Sequence, residues 1–502
     1  MILAIGVGIY LVGMLLIGYL ASRRIKDSDD YLVAGRRMPW WMVTATVFAS
    51  WWGGETVMGA AGIAFTDGIM GTVYDPWAIG GCLLIAGFFY MGIIREMKLR
   101  TLGSFFRLRY DQRTLNVVSW LFVPEYVIWT AAQMLGMGKL AHVMLGIPTE
   151  VGVLAGAAII ILYTLAGGML AVAWTDFAQT IIILVGTIVL LPIAINAAGG
   201  LEVALAHVPA GHLQLFPAFD DWNTWLWWIA AFCGVGLGSI PAPDLMQRAM
   251  IAKDTATAKR STILAGVGYW TLGMIPLALG IAALALTQSG VLDATVINAD
   301  PELIVPLMGK TLLPPIAGAL LVGALLAGLM SSADTALFAP ATLLANDILA
   351  PWLGKRKGAA LPDRDLLRLT RWCVLGLGVI AAAISFVSDS LYTLLIIAFV
   401  YVWNVVFFPF TLGIFWKRAN AYGALAGMAA GFAVFMAGVV TQQTASPEPE
   451  AFWTLVPAAC SGLATVIGSL FTQKQCPPKP LMDDFGNVLK WPELVQSVEL
   501  KS

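Results

Sequence analysis

Apolar runs of about 20 residues recur from one end of this chain to the other, and nothing else in the sequence narrows its fold so sharply. A helix rises about 1.5 Å per residue, so about 20 apolar residues are needed to cross the hydrocarbon of a bilayer. Runs bounded by charges or turn residues fall at 2–21, 39–62, 72–94, 115–145, 150–167, 174–196, 223–243, 261–287, 316–345, 371–388, 391–415, 421–441 and 452–471. Backbone in lipid must satisfy its own hydrogen bonds, which leaves helices for runs of this length. The chain therefore reads as an all-α polytopic membrane protein of about thirteen transmembrane helices. Only 12% of its residues are charged, where soluble proteins carry about a quarter.

The positive charges test that count. If the N-terminus lies outside, every one of the 29 Lys and Arg residues except Lys139 and Lys310 falls in alternate segments: 22–38, 95–114, 244–260, 346–371, 416–420 and the tail from 473. A wrong number of spans would scramble this alternation, so the positive-inside rule predicts an inner-membrane protein with a cytoplasmic C-terminus. The expected organisation is an extra helix and first cytoplasmic loop (1–38), a five-helix unit (39–196), an outer loop (197–222), a second five-helix unit (223–415), two further helices (416–472) and a cytoplasmic tail (473–502) with little fixed structure. The N-terminus has no basic leader or small-residue cleavage site and reads as a retained helix. The net charge of −1 gives no reason to expect nucleic acid as a partner. Cys82, Cys233, Cys373, Cys460 and Cys476 form no CxxC pair and read as small buried hydrophobes.

Two spans differ from the rest. Ala49-Ser50-Trp51-Trp52-Gly53-Gly54-Glu55 and Gly234-Val235-Gly236-Leu237-Gly238-Ser239-Ile240-Pro241-Ala242-Pro243 place glycines and prolines at mid-bilayer depth. Glycine costs about 1 kcal/mol and proline about 3 in a helix interior, so both tracts are predicted to unwind. Exposed backbone at that depth survives only in a protein interior or beside a wet cavity. The tracts lie in the second and seventh spans, and an odd repeat of five inverts orientation. Paired broken helices in two inverted halves point to a transporter's binding site. The alternative is that the glycines only let helices pack closely.

A third tract supplies oxygens. Gly328, Ser331 and Ser332 share one helical face. Two hydroxyls and one carbonyl there, with carbonyls freed in the first break such as those of Ala49 and Trp52, would make the roughly five-oxygen shell a hard cation wants. The alternative for the serines is a bond back to the carbonyl four residues earlier. Asp176 caps a helix or marks an ion exit path. Glu55, Glu125 and Asp334 are carboxylates within spans and hence functional candidates, while Asp75 and Asp244 fit an interfacial position as well.

These stretches, together with Asp29–Arg36, Tyr163–Gly168 running on to Asp176, Met330–Asp334 and Trp416–Ala424, resemble the sodium:solute symporter family, whose members include sodium/proline, sodium/sugar and high-affinity choline transporters. The resemblance implies a leucine-transporter-like core of five plus five inverted helices with breaks, flanked by extra helices. It implies a sodium site at the carbonyls of Ala49, Trp52 and Gly328 and the hydroxyls of Ser331 and Ser332, with Asp176 near the inner ion pathway. Sodium is then the coupling ion and a small organic solute the cargo.

For the cargo, Trp51, Trp52 and Trp129 offer aromatic faces that attract ammonium groups, and Glu55 and Glu125 offer counter-charge. Trp51, Glu55, Trp129 and Ser239 are the expected substrate contacts. Trp51 and Met330–Asp334 look like the choline-transporter branch, although Ala242 stands where that branch carries another tryptophan. An amino acid such as proline, a betaine-like zwitterion and a choline-like cation remain in play. So do proton coupling and a transporter-like channel or sensor. Three histidines, no HExxH and no nucleophile constellation argue against an enzyme.

Overall fold

The computed structural model describes residues 16, 33–359, 361–441 and 451–491. Most of the first predicted span (2–21), residues 29–32 of the first family-like motif, and the side chains of Glu55 and Asp176 lie outside what is described. Among the described residues the secondary structure is helical, with two isolated β-bridges, and the elements follow the predicted runs. They are α1 (Trp40–Trp51), α2 (Ala60–Thr66), α3 (Val73–Glu96), α4 (Gln112–Leu145), α5 (Thr149–Ala197), α6 (Trp222–Phe232), α7 (Pro243–Ile251), α8 (Thr255–Gln288), α9 (Pro315–Leu343), α10 (Asp363–Ile384), α11 (Leu391–Val405), α12 (Phe407–Phe415), α13 (Ala421–Val440) and α14 (Ala451–Phe471).

Seven of the described helices are long and apolar enough to cross a membrane, and an eighth crossing follows if α11 and α12, bent by 46° at Val406, form one span. The sequence count of about thirteen adds the two broken elements, residues outside those described, and α5 taken as two legs. α5 is a helical run of 49 residues, about 74 Å if straight. Its contacts require it to double back. Thr149 and Val153 meet Gly138 near the end of α4, Trp174 and Phe177 touch Trp41 at the start of α1, and Ile183 has returned to mid-depth beside Gly328. On a straight rod Ile183 would stand about 50 Å from Thr149.

Both predicted breaks are present. α1 ends at Trp51, the chain turns at Trp52 and Gly53, and a π-turn over Glu55–Gly59 leads into α2. α6 loosens through Cys233–Leu237, turns over 238–241 and restarts at Pro243, whose missing N–H costs nothing in the first turn of α7. Gly238 is forced by close approach: a Cβ there would stand 2.1 Å from the Gly234 carbonyl oxygen and 2.6 Å from that of Phe399 on α11. The breaks face each other across the core. Outward faces such as Trp372, Val379 and Ile380 on α10 stay exposed and apolar, as lipid-facing helices require.

The loops rich in Lys and Arg gather at one end of the bundle. Arg36 donates to the carbonyls of Lys98 and Leu99, Arg95 to those of Ala252 and Lys253, and buried Arg109 to those of Gly413, Trp416 and Lys479. The tail differs from expectation. Residues 473–491 pack across this basic end: Asp483 pairs with Lys98 at 3.3 Å, Asp484 with Arg107 at 3.0 Å, Leu481 is buried, and Trp491 lies against Arg109 and Lys417. Composition marked the segment as loose, but its carboxylates complement the cationic loops beside it.

Candidate functional site

The first break frees carbonyls, and the structure accounts for one of them directly. The Trp51 carbonyl accepts from Tyr269 at 2.7 Å and lies 3.1 Å from the Thr56 hydroxyl. Trp52 is wholly buried and packs on Phe48 and Tyr269, which turns its side chain toward α8.

α9 supplies the facing oxygens. Ser331 donates to the Ala49 carbonyl at 3.0 Å, and Gly328 packs so closely on the break that a Cβ would lie 3.0 Å from the Gly53 carbonyl carbon. Ser332 is buried and its hydroxyl has no hydrogen-bond partner. Ser331 and Gly328 thus meet the backbone of the first break at Ala49 and Gly53, with Trp52 and Ser332 next to them in the chain. Ser331 reaches beyond its own helix through the bond to Ala49 on α1. Ser239, buried in the second break, bonds back to its own helix, donating to the Val235 carbonyl four residues earlier at 2.6 Å.

The two breaks are joined by a polar cluster that the sequence did not announce. Trp51 Nε1 donates to Asp244 Oδ2 at 2.8 Å and Tyr126 donates to Asp244 Oδ1, while Asp244 N donates to the Tyr126 hydroxyl at 3.0 Å. Arg248 donates to Ser50 at 2.7 Å and to Thr335 at 2.8 Å. Asp244 is therefore a core residue and not an interfacial one. Glu125 is also buried, with neither carboxylate oxygen hydrogen-bonded. Trp129 lies behind the cavity, packed on Tyr126 and Phe399.

A small cavity of about 20 Å³ sits beside the breaks, lined by Trp51, Val235, Tyr269 and Phe399 among others, and by Asp75. Asp75 too was open to an interfacial reading, and it is buried. Above the cavity, at the end opposite the basic loops, a vestibule of about 490 Å³ opens. Tyr74, Tyr392 and Ile396 line both spaces and form the partition between them. On the vestibule wall Lys139 pairs with Glu302 at 2.6 Å and Asp300 at 2.8 Å. Glu302 also caps the start of α11, accepting from Ser390 Oγ and from the backbone N–H groups of Leu391 and Tyr392. One of the two basic residues off the cytoplasmic pattern thus has a structural task, and the other, Lys310, donates to the Val143 carbonyl.

Comparison with known proteins supplies the frame for this geometry. The structure superposes on a Na+-coupled sialic acid symporter in a substrate-bound outward-open state with a TM-score of 0.80 at 21% identity, covering 94% of this chain and 98% of that one. It also matches Mhp1, a nucleobase-cation-symport-1 family transporter, with a TM-score of 0.60 at 12% identity, covering 92% and 98%. Likeness at such identities shows the fold, and it is the leucine-transporter-like fold with broken helices expected above. In sequence the chain is 27% identical to the osmoregulated proline transporter OpuE of Bacillus subtilis, over 94% of this chain and 95% of the relative. It is 25% identical to the human high affinity choline transporter 1, over 86% and 76%. These relatives are transporters and not enzymes, and since residues 31–431 match the model of the sodium:solute symporter family, the chain belongs to that family.

Proposed function

We propose that this chain is a sodium-coupled symporter that imports a small organic solute by alternating access, with its basic end in the cytoplasm. The observation that carries the reading is the meeting of α9 with the first break: Ser331 on the Ala49 carbonyl, beside a Ser332 hydroxyl buried without a partner. A buried hydroxyl that the protein leaves unbonded is costly by about 1–3 kcal/mol, and a hard cation would use it. Sodium held by the carbonyls of Ala49, Trp52 and Gly328 and by both hydroxyls fixes the unwound segment in place. The Asp176 position, reached along the start of the second leg of α5, serves the ion's inner exit.

The moving unit is the bundle of α1/α2, α3, α6/α7 and α8. α3 and α8 pack tightly, with Trp270 donating to the Trp77 carbonyl at 3.0 Å. Rocking of this bundle against α4, α5, α9 and α10 exposes the cavity to each side in turn. The driving force is adequate: one sodium crossing at 100 mV gains about 2.3 kcal/mol and a tenfold gradient adds about 1.4, enough for more than roughly hundredfold accumulation of a neutral solute. Proline, betaine-like zwitterions and choline-like cations are the solutes to try first, since proline and choline are what the curated relatives are named for.

The test is uptake of labelled L-proline and choline into proteoliposomes with an inward sodium gradient, against the same gradient of potassium and against an inward proton gradient. The Ser331→Ala/Ser332→Ala protein is expected to lose sodium-stimulated uptake. Wild-type stimulation in that variant, or uptake driven by protons alone, overturns the assignment.

A further inference from the structure

The central cavity is aromatic, and among the described residues its lining carries one charge. Asp75 sits on a non-helical residue of α3 (φ −148°, ψ 121°) followed by Pro76, and this kink turns its carboxylate into the cavity. Oδ2 accepts from Thr56 at 2.5 Å, whereas Oδ1 is buried and takes no hydrogen bond. Among the described residues no lysine or arginine lines the cavity. Two buried basic side chains of the core are engaged elsewhere: Lys139 with Asp300 and Glu302 in the vestibule, and Arg248 with Ser50 and Thr335. Around the carboxylate stand the rings of Trp51, Tyr74, Tyr269, Tyr392 and Phe399.

A buried carboxylate either keeps its proton or is held ionised by a cation close by, and aromatic faces favour an organic cation by about 1–2 kcal/mol once it is desolvated. A sugar, by contrast, brings hydroxyls that this apolar lining has few groups to satisfy. We infer that Asp75 is the counter-ion of the transported solute, and that the solute carries a cationic nitrogen that lodges between Asp75 and the surrounding rings. This deepens the symporter reading and rests on it. Thr56 links the two sites: it donates to Asp75 and contacts the carbonyl of Trp51, two residues from Ala49, whose own carbonyl accepts from Ser331 on α9. A cation drawn to Asp75 therefore bears on the same unwound segment that sodium braces. Tyr74, Tyr392 and Ile396 stand between the cavity and the vestibule, so the solute enters when that partition swings toward the vestibule.

The experiment titrates purified full-length protein, at fixed sodium, with choline, L-proline and D-glucose, and follows thermal unfolding. A sodium titration without solute runs in parallel, which separates failure of this inference from failure of the sodium site. Choline or L-proline is expected to raise the midpoint and glucose to leave it unchanged. Asp75→Asn is expected to weaken binding of the nitrogen solute at least tenfold, and Asp75→Glu to recover part of it, with the sodium response retained in both. A sodium-responsive wild type that glucose stabilises, or that neither nitrogen solute stabilises, refutes the inference. So does an Asp75→Asn protein that binds with wild-type affinity and loses only a pH dependence of uptake, which would make Asp75 a proton carrier.

Discussion

Ser332→Ala separates a ligand from a packing residue, because the two roles predict opposite effects on the protein without sodium. The Ser332 hydroxyl is buried and unbonded. Its removal breaks no hydrogen bond within the protein and relieves a desolvated group worth about 1–3 kcal/mol. Unfolding entropy of about 2.1 cal/mol/K per residue over 502 residues is about 1 kcal/mol/K, so the sodium-free midpoint should hold steady or rise by up to about 3 °C. The ion, however, loses one of its oxygens. A hydrogen bond to a charged group contributes about 1.5–3 kcal/mol, and if a sodium–hydroxyl contact is comparable the sodium midpoint should shift upward roughly tenfold to hundredfold. The assay is a sodium titration at constant ionic strength, balanced with potassium, followed by thermal unfolding and by tryptophan fluorescence. A variant that is several degrees less stable without sodium yet titrates at the wild-type midpoint would show that Ser332 packs the helix interface and binds no ion.

Further outcomes follow from the same contacts. Lys139→Met leaves Glu302 with its Ser390, Leu391 and Tyr392 donors but without a counter-charge; breaking a buried pair costs about 3–5 kcal/mol, and these donors should hold the loss to about 2–3, seen as a drop of a few degrees in the unfolding midpoint that a Lys139→Met/Glu302→Gln cycle reports as coupled. Gly328→Val sets branched carbons against the Gly53 backbone, where even a Cβ stands at 3.0 Å; it should abolish the sodium response while Gly376→Ala, facing open space, leaves it intact. At the basic end Leu481→Asp should release the tail to limited proteolysis, whereas Asp484→Asn, which removes a partly exposed ion pair with Arg107, should cost under about 1 kcal/mol and leave the tail protected.

What the sequence determined by itself is whatever follows from local chemistry and a one-dimensional pattern. Apolar run length sets which segments cross a bilayer, and the alternation of Lys and Arg sets which loops share an end; the structure gathers Arg36, Arg95 and Arg109 at one pole accordingly. Clustered glycines and prolines weaken a helix at mid-depth, so the turns at 52–53 and 238–241 were legible too. Spacing alone placed Gly328, Ser331 and Ser332 on one face. Tertiary structure decided everything that depends on partners far apart in the chain. Ser239 and Ser331 are both serines in apolar tracts, yet one bonds its own helix and the other reaches Ala49, 282 residues away. Asp75 and Asp244 looked fit for a membrane boundary until packing enclosed them, and Trp129 pointed to a cavity that Phe399 screens. The tail's carboxylates found cations more than 370 residues distant in sequence, Arg107 opposite Asp484 and Lys98 opposite Asp483. A side chain's type and spacing fix what it is able to bond, but only the folded chain fixes which buried groups are left wanting a partner, and that residue of unmet need is where ion and solute can act.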